Sequence, residues 1–518
     1  MTVPSQLHVA WKDRIVADQA TMDDTTAQLL AARHECQLAE DALTLAAAKV
    51  EHLQAEVRLL EQRQSAATEQ LARSRAASLR IAVCNLPDDV IRCVFICCAE
   101  LPDIKWEKFG HGSYNHGRAT LPFSLAAVCT RWRRVALDYG GLWTYISLPS
   151  IHPGNTDDRQ LGFHHNRIET LLLRSQMFLL DVLLDMSPFD GESTWISSVF
   201  SSVCSHTDRW RRVEISFPYE CERDIASVFA GPLPKLKQLS LLGPATLSLE
   251  DENTYFIPHA PLLEDLDLSH TGMTVSPVHE GFPSLLSLAI NDDISSESLQ
   301  QLLELSKATL QVLDLNVGFP ARCLSSLSLP NLRTLVLHLE LFFVTAQPER
   351  TVNFNASSLS ALTLRSNDLM FDNDLLVLLE HVSATVTNLT LYDVVHPRYI
   401  DTLARLRNLS QIVFGTQIMR CDVHDQFLVV LAKQIPTVWP RLQTIVFCNA
   451  EIMSPGSHGN GIMQLVAARN VAPKSAVLSS VVETSDSEHP RRIREVQLPI
   501  DTPKWTVAEV ERLLAITS

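Results

Sequence analysis

The residues best suited to do chemistry in this chain are carboxylates that recur at short spacing. They are Asp265, Asp267, Asp292, Asp293 and Asp314. Two such groups could serve acid–base catalysis, one donating a proton and the other accepting one, but only if both line a pocket. Because they flank apolar strand residues, they are expected to lie on an open sheet face. We therefore interpret them as surface residues.

The histidine and serine motifs also give no indication of a catalytic or metal-binding site. His111 and His116, like the pair His164–His165, have no converging metal ligands in the sequence. The segment Gly456-Ser457-His458-Gly459 lacks the Gly-x-Ser-x-Gly spacing of a nucleophile elbow. No glycine-rich phosphate loop with its lysine occurs. The sequence predicts no enzymatic activity, no metal and no cofactor.

The chain has 11 cysteines, an odd number at irregular spacing, which is not the pattern of a disulfide framework. Only Cys93, Cys97 and Cys98 cluster, and they form no paired Cys-x-x-Cys. We interpret them as buried thiols that act as small apolar groups. A reducing, intracellular setting fits this usage of cysteine best.

Composition limits the classes of partner. Of 518 residues, 46% are hydrophobic, which is enough for a sizeable core. The 59 acidic and 43 basic residues give a net charge of −16, which argues against nucleic-acid binding. No apolar run approaches the roughly 20 residues of a membrane span, and Trp11-Lys12-Asp13-Arg14 interrupts any secretory signal. We expect a cytoplasmic and/or nuclear protein that binds neither nucleic acid nor membrane.

The elements that position the carboxylates come from an internal repeat of the form apolar-x-x-apolar-x-apolar. It begins at Ile168/Leu171/Leu173, and later units have central residues 22 to 27 positions apart. These central residues are Val213, Leu239, Leu266, Leu288, Leu313, Leu335, Leu362, Leu389 and Ile412. The spacing resembles that of leucine-rich repeats. Only the unit from Leu359 to Leu369, with Asn367, carries the whole leucine-rich signature.

Amphipathic stretches between these units predict convex-side helices, at 298–305, 374–382, 399–406 and 426–433. The expected fold class is therefore an α/β leucine-rich-repeat solenoid, or horseshoe, over residues 151–470. A mobile loop is expected at 471–492. A last strand and a capping helix are expected at 493–518.

Residues 22–80 predict a coiled-coil helix after a flexible N-terminus at 1–21. Glycine and proline are absent from 22–80, and apolar residues repeat in heptads. The a positions are Leu29, Cys36, Leu43, Val50, Val57, Gln64 and Leu71, and the d positions are Ala32, Ala39, Ala46, Leu53, Leu60, Ala67 and Ser74. Two arrangements fit this seam: a homodimer through residues 25–75, or one long helix that folds back on the rest of the protein.

Between the helix and the repeats, residues 81–150 contain three short blocks in order. They are Leu86-Pro87-Asp88-Asp89-Val90-Ile91 followed by Val94-Phe95, then Val128-Cys129-x-x-Trp132-Arg133-x-x-Ala136, then Leu142-Trp143. Together these blocks resemble the F-box. A polar stretch at 102–120 is longer than the link in compact F-boxes. The order of coiled coil, F-box and leucine-rich repeats is similar to that of F-box proteins common in mushroom-forming fungi.

This resemblance implies a small all-α F-box that docks onto a Skp-family adaptor and, through it, a cullin. The chain would then be a substrate-recognition adaptor of a Skp–cullin–F-box type ubiquitin ligase. The implied contact or core residues of the box are Leu86, Pro87, Val90, Ile91, Val94, Phe95, Val128, Trp132 and Trp143. The alternative is a leucine-rich-repeat interaction scaffold that is not linked to ubiquitination.

A protein substrate is expected on the concave side of the repeats. Residues between and after the strand leucines face away from the core. They include Asp265, Asp267, Asp314, Asn316, His338, Thr363, Arg365, Thr390 and Tyr392. The early repeats are acidic, which favours a partner with a basic segment, while Arg365 and Tyr392 are of residue types common at interface hot spots. The alternative is that these are ordinary solvated strand positions.

Overall fold

A computed structural model describes most of the chain. The described residues are 4–84, 86–99, 116–148, 158–187, 194–217, 226–229, 231–243, 259–269, 282–291, 296–316, 327–338, 354–365, 373–392, 397–415, 422–434, 438–448, 460–471, 491–498, 502 and 504–515. His111, Asp292, Asp293, Asn367, the motif at 456–459 and most of the expected loop at 471–492 lie outside them. The chain divides into two compact units, Met1–Ile91 and Arg92–Ser518.

The first unit is dominated by one helix, α1, which spans Pro4–Cys84. At 1.5 Å per residue it is about 120 Å long. The expectation of a flexible segment at 1–21 is wrong from Pro4 onward. Proline at the first helical position has no N–H to leave unpaired, and no glycine or proline follows it within the helix. Gln19 Nε2 donates to Asp23 Oδ1 at 3.2 Å, one turn further along.

The second unit contains a sheet of 13 parallel strands, each paired with the next strand in the chain. The strands are β1 Tyr145–Leu148, β2 Leu180–Asp185, β3 Trp210–Ser216, β4 Gln238–Leu242, β5 Asp265–Ser269, β6 Ser287–Asn291, β7 Val312–Leu315, β8 Thr334–His338, β9 Ala361–Arg365, β10 Asn388–Tyr392, β11 Gln411–Gly415, β12 Thr444–Phe447 and β13 Glu495–Gln497. This order gives an open, solenoid-like α/β arrangement.

Helices connect or precede these strands. They are α2 Asp88–Ala99 (which crosses the boundary between the units), α3 His116–Ala127, α4 Thr130–Asp138, α5 Asp158–Arg174, α6 Thr194–Cys204, α7 Ala226–Phe229, α8 Ser296–Ser306, α9 Asn373–Val382, α10 Ile400–Leu403, α11 Asp422–Lys433, α12 Asn460–Asn470 and α13 Lys504–Leu514. Single 3-10 turns occur at Gly140–Trp143, Thr207–Arg209 and Pro397–Tyr399. The helices predicted at 298–305, 374–382 and 426–433 are confirmed as α8, α9 and α11, while the stretch predicted at 399–406 is α-helical only at Ile400–Leu403 (α10). The polar stretch expected at 102–120 is partly helical, because α3 begins at His116.

The core is built from rows of aliphatic residues that lie in register across the sheet. Leu239 pairs with Leu266 and Leu266 with Leu288, and each of the three is at most 1% exposed. Burying each such side chain contributes about 2 kcal/mol. The residues before and after them on strands β4 and β5 are only half-buried. This alternation of buried and half-buried residues along the strands confirms that the central repeat residues from Val213 to Ile412 are strand residues that face the core.

The start of the sheet differs from the expectation. Ile168, Leu171 and Leu173 lie in helix α5, not in a strand. Ile168 and Leu171 are three residues apart, share one helix face and are buried, whereas Leu173 is exposed. A spacing of three residues suits a helix as well as a strand, so the pattern alone does not decide between them. The sheet begins earlier, at β1, within the residues assigned to the box from sequence. It continues through β2, which the repeat pattern misses.

At the other end, the short strand β13 and helix α13 complete the array where a last strand and a capping helix were expected. The side chain of Asn470, the last residue of helix α12, forms hydrogen bonds in this region. Its side-chain amide donates to the carbonyl of Ile493 at 2.9 Å and to that of Leu513 at 3.4 Å, and its Oδ1 accepts from the backbone N–H of Ile493 at 2.9 Å. One buried side chain thus links helix α12 to helix α13 and to Ile493, two residues before strand β13.

Candidate interaction surfaces

Local sequence determines where helix α2 begins. The Pro87 carbonyl accepts hydrogen bonds from the backbone N–H groups of Val90 and Ile91, each at 3.1 Å. Asp88 and Asp89 occupy the first turn, where the helix dipole favours negative charge. The first block of the box segment (residues 86–143) is therefore helical from Asp88 onward.

An apolar stripe on α2 is exposed. It consists of Val90, Cys93, Val94 and Cys97, which share one helix face because they are three or four residues apart. Val90 is 42% and Val94 is 40% exposed, whereas Ile91 on another side is fully buried. The interpretation of Cys93 and Cys97 as buried thiols is wrong, since both are exposed. We call these four residues the α2 stripe.

Aromatic residues pack inside the box segment. The fully buried Trp143 donates a hydrogen bond from Nε1 to the Ala136 carbonyl at 2.7 Å and meets the ring of Phe123 edge-on at 5.3 Å. Phe95, also fully buried, meets the half-buried Trp132 edge-on at 5.2 Å. Such contacts hold α2, α3 and α4 together and assign Phe95 and Trp143 to the core.

The other residues expected in the box are accessible to solvent. Leu86 is half-buried, Pro87 is exposed, and Val128 is 58% exposed. Val128 precedes Cys129, whose Sγ accepts a hydrogen bond from the Trp132 N–H at 3.4 Å and so caps helix α4. Thus the nine residues predicted from sequence divide into a buried group and an accessible group.

An ion cluster joins the box segment to the sheet. Asp181 of β2 has no exposed surface, and Arg211 of β3 holds it with two hydrogen bonds of 2.9 and 2.8 Å. Arg118 of helix α3 donates to the same carboxylate at 2.7 Å and lies over the Tyr145 ring at 4.3 Å. Burial alone would raise the pKa of Asp181, but the hydrogen bonds and charges of Arg211 and Arg118 outweigh it and hold the pKa below its ordinary value.

A second buried arginine strengthens this junction. Arg167 of α5 donates to the Ser147 carbonyl at 2.8 Å and to the Ala119 carbonyl of α3 at 3.4 Å. Ala119 also packs with Tyr145 and Leu183 in a small apolar cluster. Sequence reasoning missed the junction, because its members are far apart in the chain. The local signal is a buried-strand position, Asp181, between the apolar residues Leu180 and Val182.

The open face of the sheet carries the residues predicted to bind a substrate. We define the open face as the strand side chains that alternate with the buried core rows. Asp265 and Asp267 of β5 are half-buried there. Asp265 accepts a hydrogen bond from Gln238 Nε2 at 2.8 Å, and Asp267 accepts from Ser269 Oγ at 3.1 Å. Both carboxylates are thus positioned by neighbouring polar side chains.

A second group lies further along the open face. Asp314 of β7 is only 9% exposed, and its Oδ1 lies 3.2 Å from His338 Nε2. His338, Arg365 and Tyr392 are in register on β8, β9 and β10, and the Arg365 guanidinium lies 5.1 Å from the Tyr392 ring centre. At about 4.8 Å per strand, β5 and β10 are about 24 Å apart. The five predicted residues therefore form two patches. Asp314 is too buried to be an ordinary solvated position.

No group of three or more His, Cys, Asp or Glu side chains among the described residues is placed to hold a metal ion. No helix within the described ranges is both long enough and apolar enough to cross a membrane. In comparisons with known proteins, no family model matches the chain, and no curated protein matches its sequence.

Proposed function

We propose that the chain is the substrate-recognition adaptor of a Skp–cullin–F-box type ubiquitin ligase and is not itself an enzyme. The α2 stripe carries the proposal, because it leaves apolar residues exposed on a helix whose Ile91 and Phe95 are fully buried. A helix of this kind suits docking into an apolar groove of a partner. The ubiquitin system operates in the cytoplasm and the nucleus, and the protein would act there.

We propose different roles for the nine box residues according to their exposure. The accessible residues Val90, Val94 and Val128, with Leu86 and Pro87 beside them, are proposed to contact the Skp-family adaptor. The buried residues Ile91, Phe95 and Trp143 are proposed to keep the helices folded. Trp132 is half-buried and would serve both purposes.

The proposal is tested by mixing the purified full chain with a Skp-family adaptor and a cullin. We expect all three to elute together in size-exclusion chromatography, and captured proteins to be ubiquitinated when the remaining ligase components are added. A complex with the adaptor that never recruits the cullin would favour the alternative, an interaction scaffold. No binding to the adaptor would contradict the assignment of the box.

We further propose that the parallel array is a leucine-rich-repeat horseshoe and that its open face binds the substrate. Asp265 and Asp267 supply negative charge on the early strands, which suits a partner with a basic segment. Arg365 and Tyr392 form a cation–π pair further along and could anchor the same partner.

Charge reversal tests this surface. Asp267→Lys is expected to weaken binding of a lysine-rich peptide about tenfold at low salt, because it replaces an attractive charge by a repulsive one. Its melting temperature should stay within about 2 °C of the original, since a half-buried surface position contributes little to stability. Fluorescence anisotropy and thermal melting would measure the two effects.

The matched control for this prediction is Glu304→Lys, which makes the same charge change at an exposed position of α8. It should leave peptide binding unchanged. Asp314→Lys is expected to behave differently and to lower the melting temperature, because a lysine would be buried beside His338. If the original chain and Asp267→Lys bound the peptide with equal affinity, the proposal that the substrate binds at this part of the open face would be contradicted.

A further inference from the structure

The seam of helix α1 is uncovered. Every residue from 9 to 78 is solvent-exposed, including Leu43, Val50, Leu53, Val57 and Leu60 of the heptad pattern. Each of these five side chains is between 49% and 71% exposed. A sustained apolar a/d seam of this kind is the signature of a coiled coil, and its natural partner is an identical seam on a second copy of the chain. The orientation of the two helices can be deduced from residue size and charge.

Residue size disfavours a parallel pair. In a parallel dimer each layer of the seam contains the same residue from both helices. Large pairs such as Leu43–Leu43 would then alternate with alanine pairs at Ala32, Ala39, Ala46 and Ala67. At one interhelical distance the alanine layers would be underpacked, and voids cost contacts on both sides.

An antiparallel pair evens out the layers, because each a residue then meets a d residue of the partner. In the register centred between residues 50 and 53, Val57 faces Ala46 of the second copy and Leu71 faces Ala32. The central layers pair Val50 with Leu53 and Leu43 with Leu60. No layer then consists of two alanines, so the underpacked alanine layers of the parallel pair are avoided.

The charged residues that flank the seam also favour the antiparallel orientation. In a parallel dimer the flanking g and e positions would place Glu35 against Glu40 and Glu56 against Glu61, with no opposite-charge pair to offset them. In the antiparallel register Lys49 faces Glu56 of the second copy, twice by symmetry. The like-charge pair of Glu40 with Glu61 also occurs twice, so the antiparallel register has two attractive and two repulsive contacts, whereas the parallel dimer has four repulsive contacts.

We propose that α1 pairs with a second copy of this chain as an antiparallel coiled coil. The two copies of residue 78 would then lie about 80 Å apart, whereas a parallel pair would place them about 10 Å apart. This inference rests on the exposed seam of α1 and does not depend on adaptor binding by the box. Two experiments test it: one measures the orientation of the two helices and the other measures self-association.

Disulfide trapping in the full chain tests the orientation. Cys36 is an exposed seam residue and would face Ala67 of the second copy. Within one helix the two positions are 31 residues, or about 46 Å, apart, whereas a disulfide needs Cα atoms within about 7 Å. In Ala67→Cys, mild oxidation should therefore produce a bond between Cys36 of one copy and the introduced thiol of the other. Mass spectrometry of the linked peptides identifies it among the other cysteines.

Controls follow from the heptad. Ala66→Cys makes the same substitution at an outward c position and should give no such bond. Cys36→Ser combined with Ala67→Cys should lose it. A bond through Leu60→Cys in place of Ala67→Cys would support the orientation with the register moved by one heptad. A Cys36–Cys36 bond in the unmodified chain would overturn the proposal, because only a parallel pair brings those atoms together.

Light scattering supplies the second measurement. The chain should be a dimer at micromolar concentration, and Leu53→Asp with Leu60→Asp should make it monomeric. Glu56→Lys should weaken the dimer about two- to fivefold in the antiparallel pair, where it would face Lys49, and Lys49→Glu added to it should restore the affinity. A monomeric unmodified chain, or a tighter dimer in Glu56→Lys, would contradict the proposal.

Discussion

Replacing Val90 and Val94 together by aspartate should weaken binding of a Skp-family adaptor at least about 100-fold. Both side chains are about two-fifths exposed, so the substitutions place two charges on the α2 stripe without disturbing the core. In an apolar groove those charges would lose water and gain no partner. Isothermal titration calorimetry with purified adaptor measures the loss.

Two controls separate contact from folding. Arg92→Asp adds an acidic residue to another exposed side of the same helix and should leave adaptor binding intact. Phe95→Ala should instead lower the free energy of unfolding by about 3 kcal/mol, because it removes a fully buried ring that packs on Trp132. Full affinity in the Val90/Val94 double variant would show that the α2 stripe is not the contact.

Asp181→Ala should lower the free energy of unfolding by about 3–5 kcal/mol, because it leaves Arg118 and Arg211 without the carboxylate that they share. Urea unfolding at neutral pH measures this change. Asp185→Ala, at the half-buried end of the same strand, is the matched control and should change the free energy by less than about 1 kcal/mol. Similar losses in the two variants would refute a special role for Asp181.

The same residue predicts a dependence on pH. Because the pKa of Asp181 is lower in the folded chain than in the unfolded chain, its contribution is fully present above the unfolded value of about 3.9. It is lost as the pH falls through the lower, folded value. The difference in unfolding free energy between the original chain and Asp181→Asn should therefore shrink below about pH 4. A constant difference down to pH 2 would contradict this assignment.

The repeats were readable from sequence because each buried strand residue recurs with its neighbours at nearly constant spacing. Leu239, Leu266 and Leu288 meet in register for that reason. The same pattern misassigned Ile168 and Leu171, because a spacing of three residues also suits a helix. Local periodicity therefore identified the middle of the array but not its beginning.

The candidate surfaces were only partly predictable. The motif around α2 predicted a helix that is present at Asp88–Ala99, but the exposure of Cys93 depends on which face the rest of the fold covers. The junction of Arg118 with Asp181 joins residues 63 positions apart, and no local pattern connects them. Likewise, only the position of Asp314 beside His338 distinguishes it from the more accessible Asp267.

The short last strand bears on aggregation. A parallel array built by adding one strand after another ends in an edge whose unpaired backbone groups could recruit another chain. Strand β13 has only three residues; its first residue, Glu495, and the preceding Arg494 are both charged and exposed. The buried Asn470 fixes the last helix next to it. These features work against end-to-end polymerisation, so truncating the chain before residue 491 should turn a discrete protein into one that forms filaments.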